Sequence, residues 1–423
     1  MPPVALTVPV GLTDRPVECA RLEWRAGDGG DPARLLERFL TGHGLPVDDL
    51  SQSRLSQSRL SSQSEAGTVV GAAVLVGAAA AALMSGAAPG APSPAPEVPD
   101  LVAVVYTSPS ATGWPPPLLG SPGALPAAAC QVGGWRCTWT DAEHAAAVRA
   151  VRAEIAKGEV YQVNVVGHRS APYRGDPAAA LAAAARLPGA RCAGMLTAGT
   201  GGGWAVASAS PEALVTVAGG IARTRPVKGT RPATTAGRQA LLASAKERAE
   251  HIMIVDLGRN DLGRLAVPGT VRVESLFELQ EWCGLWQAES TVAARLRPGT
   301  GLAALLRALL PGGSVTGAPK LAAVGLAADL EPVGRGPAMG ALGFVTPDRV
   351  ALGLTIRTVA AAGGRLHLWA GGGVAWDSDP GAEVAEAHAK AAPLLAALTD
   401  PRPHPRPPHP PPSPPSAPFP RRS

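Results

Sequence analysis

The sequence has little that would bind metal through sulfur or build a disulfide framework. Its five cysteines (Cys19, Cys130, Cys137, Cys192 and Cys283) are scattered, form no CxxC pair and join no Cys/His cluster of zinc spacing. An odd, scattered set fits a reducing compartment, so a cytoplasmic protein is expected. The N-terminal MPPVALTVPV lacks a basic segment followed by an apolar run, which argues against a secretory signal. Gly-Lys-Ser/Thr is absent, so nucleotide binding through a P-loop is unsupported. Aromatic residues make up only 4 % of the 423 positions and charged residues 17 %. The 46 % apolar content is enough for a sizeable core and excludes disorder throughout.

A net charge of +5 would by itself suggest an anionic partner such as nucleic acid. Four of those charges, Arg402, Arg406, Arg421 and Arg422, sit in a tail without acids. The rest of the chain is nearly neutral and carries no nucleic-acid recognition motif, so no nucleic-acid partner is expected. Residues 66–96 are uncharged, and Val69 to Leu83 is continuously apolar or Gly. Ala and Gly insert weakly into bilayers and the end is Pro-rich, so a buried core segment is expected there and a membrane span is not.

The chain divides by composition. Residues 1–130 form an N-terminal region with an amphipathic stretch at Pro32–Leu40 and a Ser/Gln-rich insertion at 51–64, where SQSRL repeats. Leu101–Tyr106 reads as a buried strand and 108–126 as a Pro/Gly-rich loop. Asp141–Lys157 reads as a helix, with Thr140 and Glu143 as its capping box and Gly158 as its stop. Glu159–Val166 reads as the next strand, and alternating elements run to about 398. The Pro-rich 401–423 is expected to be extended or disordered.

Two helical stretches carry acids at i, i+3: Glu247 and Glu250, then Glu383 and Glu386 with Lys390 one turn on. Each pair lies on one helix face. Such pairs are either solvated faces or, if the helices meet, oxygen ligands for a hard cation. Three glycine-containing segments read as turns: 311–320 (PGGSVTGAPK), Lys228-Gly229-Thr230, and Ala370 followed by Gly371, Gly372 and Gly373.

Taken in order, the segments resemble the chorismate-utilising enzymes, which include component I of anthranilate synthase, component I of aminodeoxychorismate synthase, and the isochorismate and salicylate synthases. The matching stretches are GEVYQVNVVGHR (158–169), ASPEALV (209–215), TRPVKGTRPA (224–233), KERAEHIMIVDLGRNDLGRLAVPGTVRVESLFELQ (246–280), LLPGGSVTGAPKLAAV (309–324), GRGPAMGALGFV (334–345), LTIRT (354–358) and AGGGVAWDSDPGAEVAEAHAK (370–390). The resemblance places a chorismate-binding catalytic region at 139–398. It implies an α/β fold of the anthranilate-synthase-component-I kind, with two mostly antiparallel sheets in a sandwich and helices outside.

The resemblance also implies roles. Glu250 and Glu386 would ligate Mg2+ directly, with Glu247 and Glu383 behind them or bound through water. Arg357 and the Gly371–Gly373 backbone would hold the enolpyruvyl carboxylate, and Gly229 and Thr230 would line the substrate site. Lys390 either neutralises charge in the site or pairs with Glu386. Gln162 stands where the water-adding members have a basic Lys, which disfavours that branch. Lys228 matches the aminodeoxychorismate synthase pattern P-I-K-G-T. In that reading Lys228 is the nucleophile, Glu212 the general acid, and the reaction the amination of chorismate at C4. No Gly-x-Cys-x-Gly turn surrounds any cysteine, so the ammonia would come from a separate glutamine amidotransferase subunit. Anthranilate synthase component I is the nearest alternative. A catalytically degenerate interaction protein that presents its Pro-rich tail to polyproline readers is the alternative of another class, because Phe344 and Gln287 replace a Tyr and a His usual in the family; Ala213 also replaces a usual Arg, which fits a slow enzyme or a diverged paralogue.

Overall fold

The computed structural model describes residues 16–52, 68–108, 130–199 and 203–399. Nearly all of the Ser/Gln-rich insertion and of the 108–126 passage, and the whole Pro-rich tail, lie outside the described residues.

The uncharged stretch after residue 66 folds in two pieces. Thr68–Val76 is a strand and Ala78–Ser85 a helix, with Gly77 between them as the helix N-cap. A run of Ala, Val and Gly has no period that distinguishes strand from helix, so the break falls at the glycine. Both pieces are largely buried, as expected. Among the described residues no helix is long and apolar enough to cross a membrane.

Thr68–Val76 joins a ten-stranded sheet. In it Val17–Trp24, Leu101–Ser108, Thr68–Val76, Ala341–Thr346, Arg349–Leu354, Ala213–Ala218, Ile221–Arg225, Leu285–Arg295 and Val227–Pro232 lie side by side. Arg272–Trp282 also pairs with Leu285–Arg295. Strands from 17–108 are therefore woven into the same sheet as strands from the rest of the chain. The second sheet has eight strands, ordered Gly317–Ala318, Gln162–Arg174, Arg365–Val374, Thr358–Ala362, Trp204–Ser208 and Gly194–Thr197, with Gln131–Val132 and Arg136–Cys137 against Gln162–Arg174. Every pairing in both sheets is antiparallel, including the ten-residue register between Arg365–Val374 and Gln162–Arg174.

Side chains from both sheets share one core. Val74, Leu342, Leu352 and Val215 of the first meet Val166, Val206 and Trp369 of the second. This is the expected sandwich. The helices pack on the outer faces. Pro32–Gly42, Ala78–Ser85 and Leu302–Leu309 add to the main core. Ala178–Ala185 and Pro380–Thr399 cover the second sheet through Leu181, Leu394 and Leu398.

Local sequence explains the helix Asp141–Lys157. Thr140 Oγ1 accepts from the Glu143 N–H at 3.2 Å, and the Glu143 carboxylate accepts from the Thr140 N–H at 2.6 Å. Gly158 closes it with φ 84°. Two expectations need correction. The strand expected at Glu159–Val166 begins at Gln162 and continues to Arg174. Two of the three glycine segments are also strand and not turn: Gly371–Gly373 stay in register with Val166, Val165 and Asn164, and Lys228-Gly229-Thr230 lies in Val227–Pro232. In the latter, Gly229 forms a bulge with φ 77°, a left-handed conformation that favours glycine.

Candidate active site

Two helix N-termini converge on one cleft between the sheets. Glu247 and Glu250 lie early in Ala245–Gly263, where Ser244 caps the helix by accepting from the Glu247 N–H at 3.2 Å. Glu383 and Glu386 lie early in Pro380–Thr399. All four carboxylates line the cleft. The positive ends of both helix dipoles favour negative charge there.

The carboxylates are not bare. Glu247 pairs with Arg231 at 2.9 Å, Glu250 faces Lys246 at 3.7 Å, and Glu386 pairs with Lys390 at 2.5 Å. Glu383 accepts from the Ser378 hydroxyl at 2.6 Å. Burial pushes the Glu250 and Glu383 carboxyls up. Burial also pushes on Glu386, but Lys390, Lys228 and Arg357 outweigh it and hold that carboxyl below its usual range. Lys390 therefore both faces the site and pairs with Glu386, and its Nζ also donates to the Gly371 carbonyl at 3.0 Å.

The donor set suits a hard cation, being entirely carboxylate oxygen. Gly372 lets its strand approach these carboxylates without a side chain between. A methyl group at Gly372 would come within 2.9 Å of Glu383 Oε2 and 3.8 Å of Glu386 Oε1. In the present arrangement, no three His, Cys, Asp or Glu side chains among the described residues stand close enough to share an ion.

Lys228, Gly229, Thr230 and Glu212 line the same cleft. Lys228 Nζ donates to the Ser314 carbonyl at 3.3 Å, and the Ser314 hydroxyl donates to Glu212 Oε1 at 2.5 Å. Ser314 thus touches both expected catalytic groups. Burial lowers the Lys228 ammonium against the pull of Glu250, and Lys390 pushes it further down. Burial raises the Glu212 carboxyl to about 7, although Ser314 and Lys228 act against that rise. The amine is thereby eased toward its neutral form and the acid toward its protonated form.

Arg357 supplies the anion-binding end. It is almost wholly buried, with its guanidinium 4.0 Å over the Trp282 ring, and its Nη1 has no protein partner. Its backbone is held at φ 53°, unusual for a residue with a side chain. Burial lowers it to about 10. A buried, unpartnered guanidinium nitrogen facing a cleft is suited to a carboxylate.

The structure brings together all of the sequence-predicted residues. Twelve of them line the cleft directly, and Gly372 faces its carboxylates from the adjoining strand. Gly373 lies against the expected nucleophile: a methyl group there would stand 2.1 Å from Gln162 Nε2 and 2.7 Å from Lys228 Nζ. We expect Gly373→Ala to displace Lys228 and reduce kcat/KM by about 10²-fold. Steady-state kinetics beside an unchanged circular dichroism spectrum would check this.

Three residues that depart from the family pattern differ in position. Gln287 is buried and lines the cleft, opposite Thr230 on the neighbouring strand. Phe344 packs against the main core and is not among the lining residues. Ala213 begins the strand after Glu212 and is buried. Ser314 and Asn164 line the cleft too and were not singled out from sequence. Ser314 lies inside the PGGSVTGAPK segment, and that segment's end before a helix was the available signal. Asn164 had none.

The chain is similar to known proteins in sequence and fold. The family described as chorismate binding enzyme matches residues 122–396. Anthranilate synthase component 1 of Streptomyces coelicolor is 40 % identical over 275 residues, covering 63 % of this chain and 53 % of that one. Aminodeoxychorismate synthase component 1 of Salmonella typhimurium is 38 % identical over 271 residues, covering 62 % and 59 %. The chain thus matches between half and three-fifths of the length of these relatives. The crystal structure of anthranilate synthase component I from Streptococcus pneumoniae has the same fold, with a TM-score of 0.67 at 22 % identity over 92 % of this chain and 94 % of that one. With the family matched over residues 122–396, well over half of the sequence, this protein belongs to the chorismate-binding enzyme family.

Proposed function

We propose that the protein aminates chorismate at C4 to give 4-amino-4-deoxychorismate, with ammonia from a separate glutamine amidotransferase subunit. The observation that carries this reading is the contact chain Lys228–Ser314–Glu212, which joins a partly buried amine and a buried carboxyl of raised proton affinity within the cleft.

The steps follow from those groups. Arg357 and the strand carrying Gly371–Gly373 hold the enolpyruvyl carboxylate. Neutral Lys228 attacks C2, the two conjugated ring double bonds each shift one position toward C4, and the C4 hydroxyl leaves as water with the proton of Glu212. Ammonia then adds at C4, both double bonds shift back, and the Lys228 amine departs from C2. The proton lost by the adding nitrogen restores Glu212. The net change is replacement of hydroxyl by amine, with one water released. Mg2+ bound by Glu250 and Glu386, with Glu247 and Glu383 behind, would supply positive charge for the ring carboxylate.

Similarity to anthranilate synthase components favours a second reading, amination at C2 with loss of pyruvate. The two are separated by product. Purified protein with chorismate, Mg2+ and ammonium should yield 4-aminobenzoate only after an aminodeoxychorismate lyase is added. Anthranilate formed without the lyase would select the second reading.

A further inference from the structure

Beside the Glu212 segment lies a partly buried ion pair. Arg191, in the loop before Gly194–Thr197, makes a forked contact with Glu289 on Leu285–Arg295. Its Nη1 reaches Glu289 Oε1 at 3.2 Å, and its Nη2 contacts Glu289 Oε2. The Glu289 side chain is 6 % exposed and the Arg191 side chain 29 %. The same guanidinium donates to the Pro211 carbonyl at 3.4 Å, one residue before Glu212. The next residue of the loop, Cys192, donates its N–H to the Ser210 carbonyl at 2.8 Å. Glu289 stands opposite Val227 in the strand register, next to Lys228. The pair therefore ties together the segment carrying the acid and the strand beside the nucleophile.

We propose that Arg191 and Glu289 are positioning residues for Glu212, fixing its segment through the Pro211 carbonyl and balancing the charge beside it. The proposal rests on the reading of Glu212 as the acid. The charged and titratable groups around Glu212 are Lys228, Glu289 and Arg357, with the Cys192 thiol close by. Of these, Glu289 pushes the acid toward its protonated form and Lys228 toward its anion. Arg191 decides how much of the Glu289 charge Glu212 feels. A purely structural staple would hold the fold together but leave this balance unaltered.

The two halves of the pair predict shifts of opposite sign. Arg191→Gln leaves Glu289 uncompensated, so Glu212 should keep its proton to higher pH. Glu289→Gln leaves Arg191 uncompensated, so Glu212 should lose its proton at lower pH. Each shift should be about one pH unit, and the double variant should return close to the wild type. Two readouts are taken on the full chain: the alkaline limb of kcat/KM against pH, and the carboxyl resonance of Glu212 in [13C]glutamate-labelled protein, assigned with Glu212→Gln.

Opposite shifts in both readouts support the proposal. Shifts of the same sign, or none, while Glu212→Gln still removes the wild-type alkaline limb, overturn it and leave the acid assignment intact. Opposite shifts of the resonance without any alkaline limb in wild-type kinetics would support the pair and overturn the acid reading. If Arg191→Gln does not fold, Glu289→Gln and the double variant still decide. Separation of their resonances by about one unit supports the coupling, and coincidence of the two overturns it.

Discussion

Replacing Lys228 by Ala should abolish ammonia-dependent 4-aminobenzoate formation, measured with excess lyase, by at least about 10³-fold. The loss should fall on kcat while chorismate still binds, because Arg357 and the Gly371–Gly373 strand are untouched. Lys228→Arg should fail equally, since a guanidinium does not deprotonate in a protein. The cause is local. The amine is partly buried beside Gly373 and anchors one N–H on the Ser314 carbonyl, which leaves the lone pair of its neutral form available for attack. Ordinary turnover by Lys228→Ala would remove the double-displacement mechanism.

Glu212→Gln should have two effects of opposite kind. Turnover should fall by about 10²- to 10⁴-fold, the usual contribution of a general acid. Stability at pH 8 should rise. The folded protein holds the Glu212 proton up to about 7, against an ordinary value of 4.5. The folded state is favoured most below the unfolded value, and that advantage is lost as pH rises toward 7. Above pH 7 the buried anion costs on the order of 3 kcal/mol, which a neutral amide removes. Thermal melts at pH 5 and pH 8 should show the gain mainly at pH 8. The wild-type rate should accordingly fall above about pH 7 as Glu212 deprotonates, and fall on the acid side as Lys228 gains a proton.

Much of this site was legible because the sequence clusters its chemistry in short segments. Acids at i, i+3 must share a helix face, and Thr140 with Glu143 must cap a helix if one follows. The joining of two helix N-termini at one cleft came from resemblance, since no local pattern encodes a contact between residues 250 and 386. Glycines misled where they were read as turns. Gly371–Gly373 remain in the sheet because extended backbone suits glycine as well, and their missing side chains make room for Gln162, Lys228 and Glu383. Arg191 and Glu289 were invisible for a different reason. They lie 98 positions apart, in segments without a motif, and only the fold makes them neighbours.

The covalent step is the core of the account and can be observed directly. Protein incubated with chorismate and Mg2+ without ammonia, then quenched in acid, should gain the mass of chorismate less one water. Digestion should place that mass on the peptide containing Lys228, and Lys228→Ala should not acquire it. Rapid formation of 4-amino-4-deoxychorismate on adding ammonia, with the adduct absent at every quench time, would contradict the account.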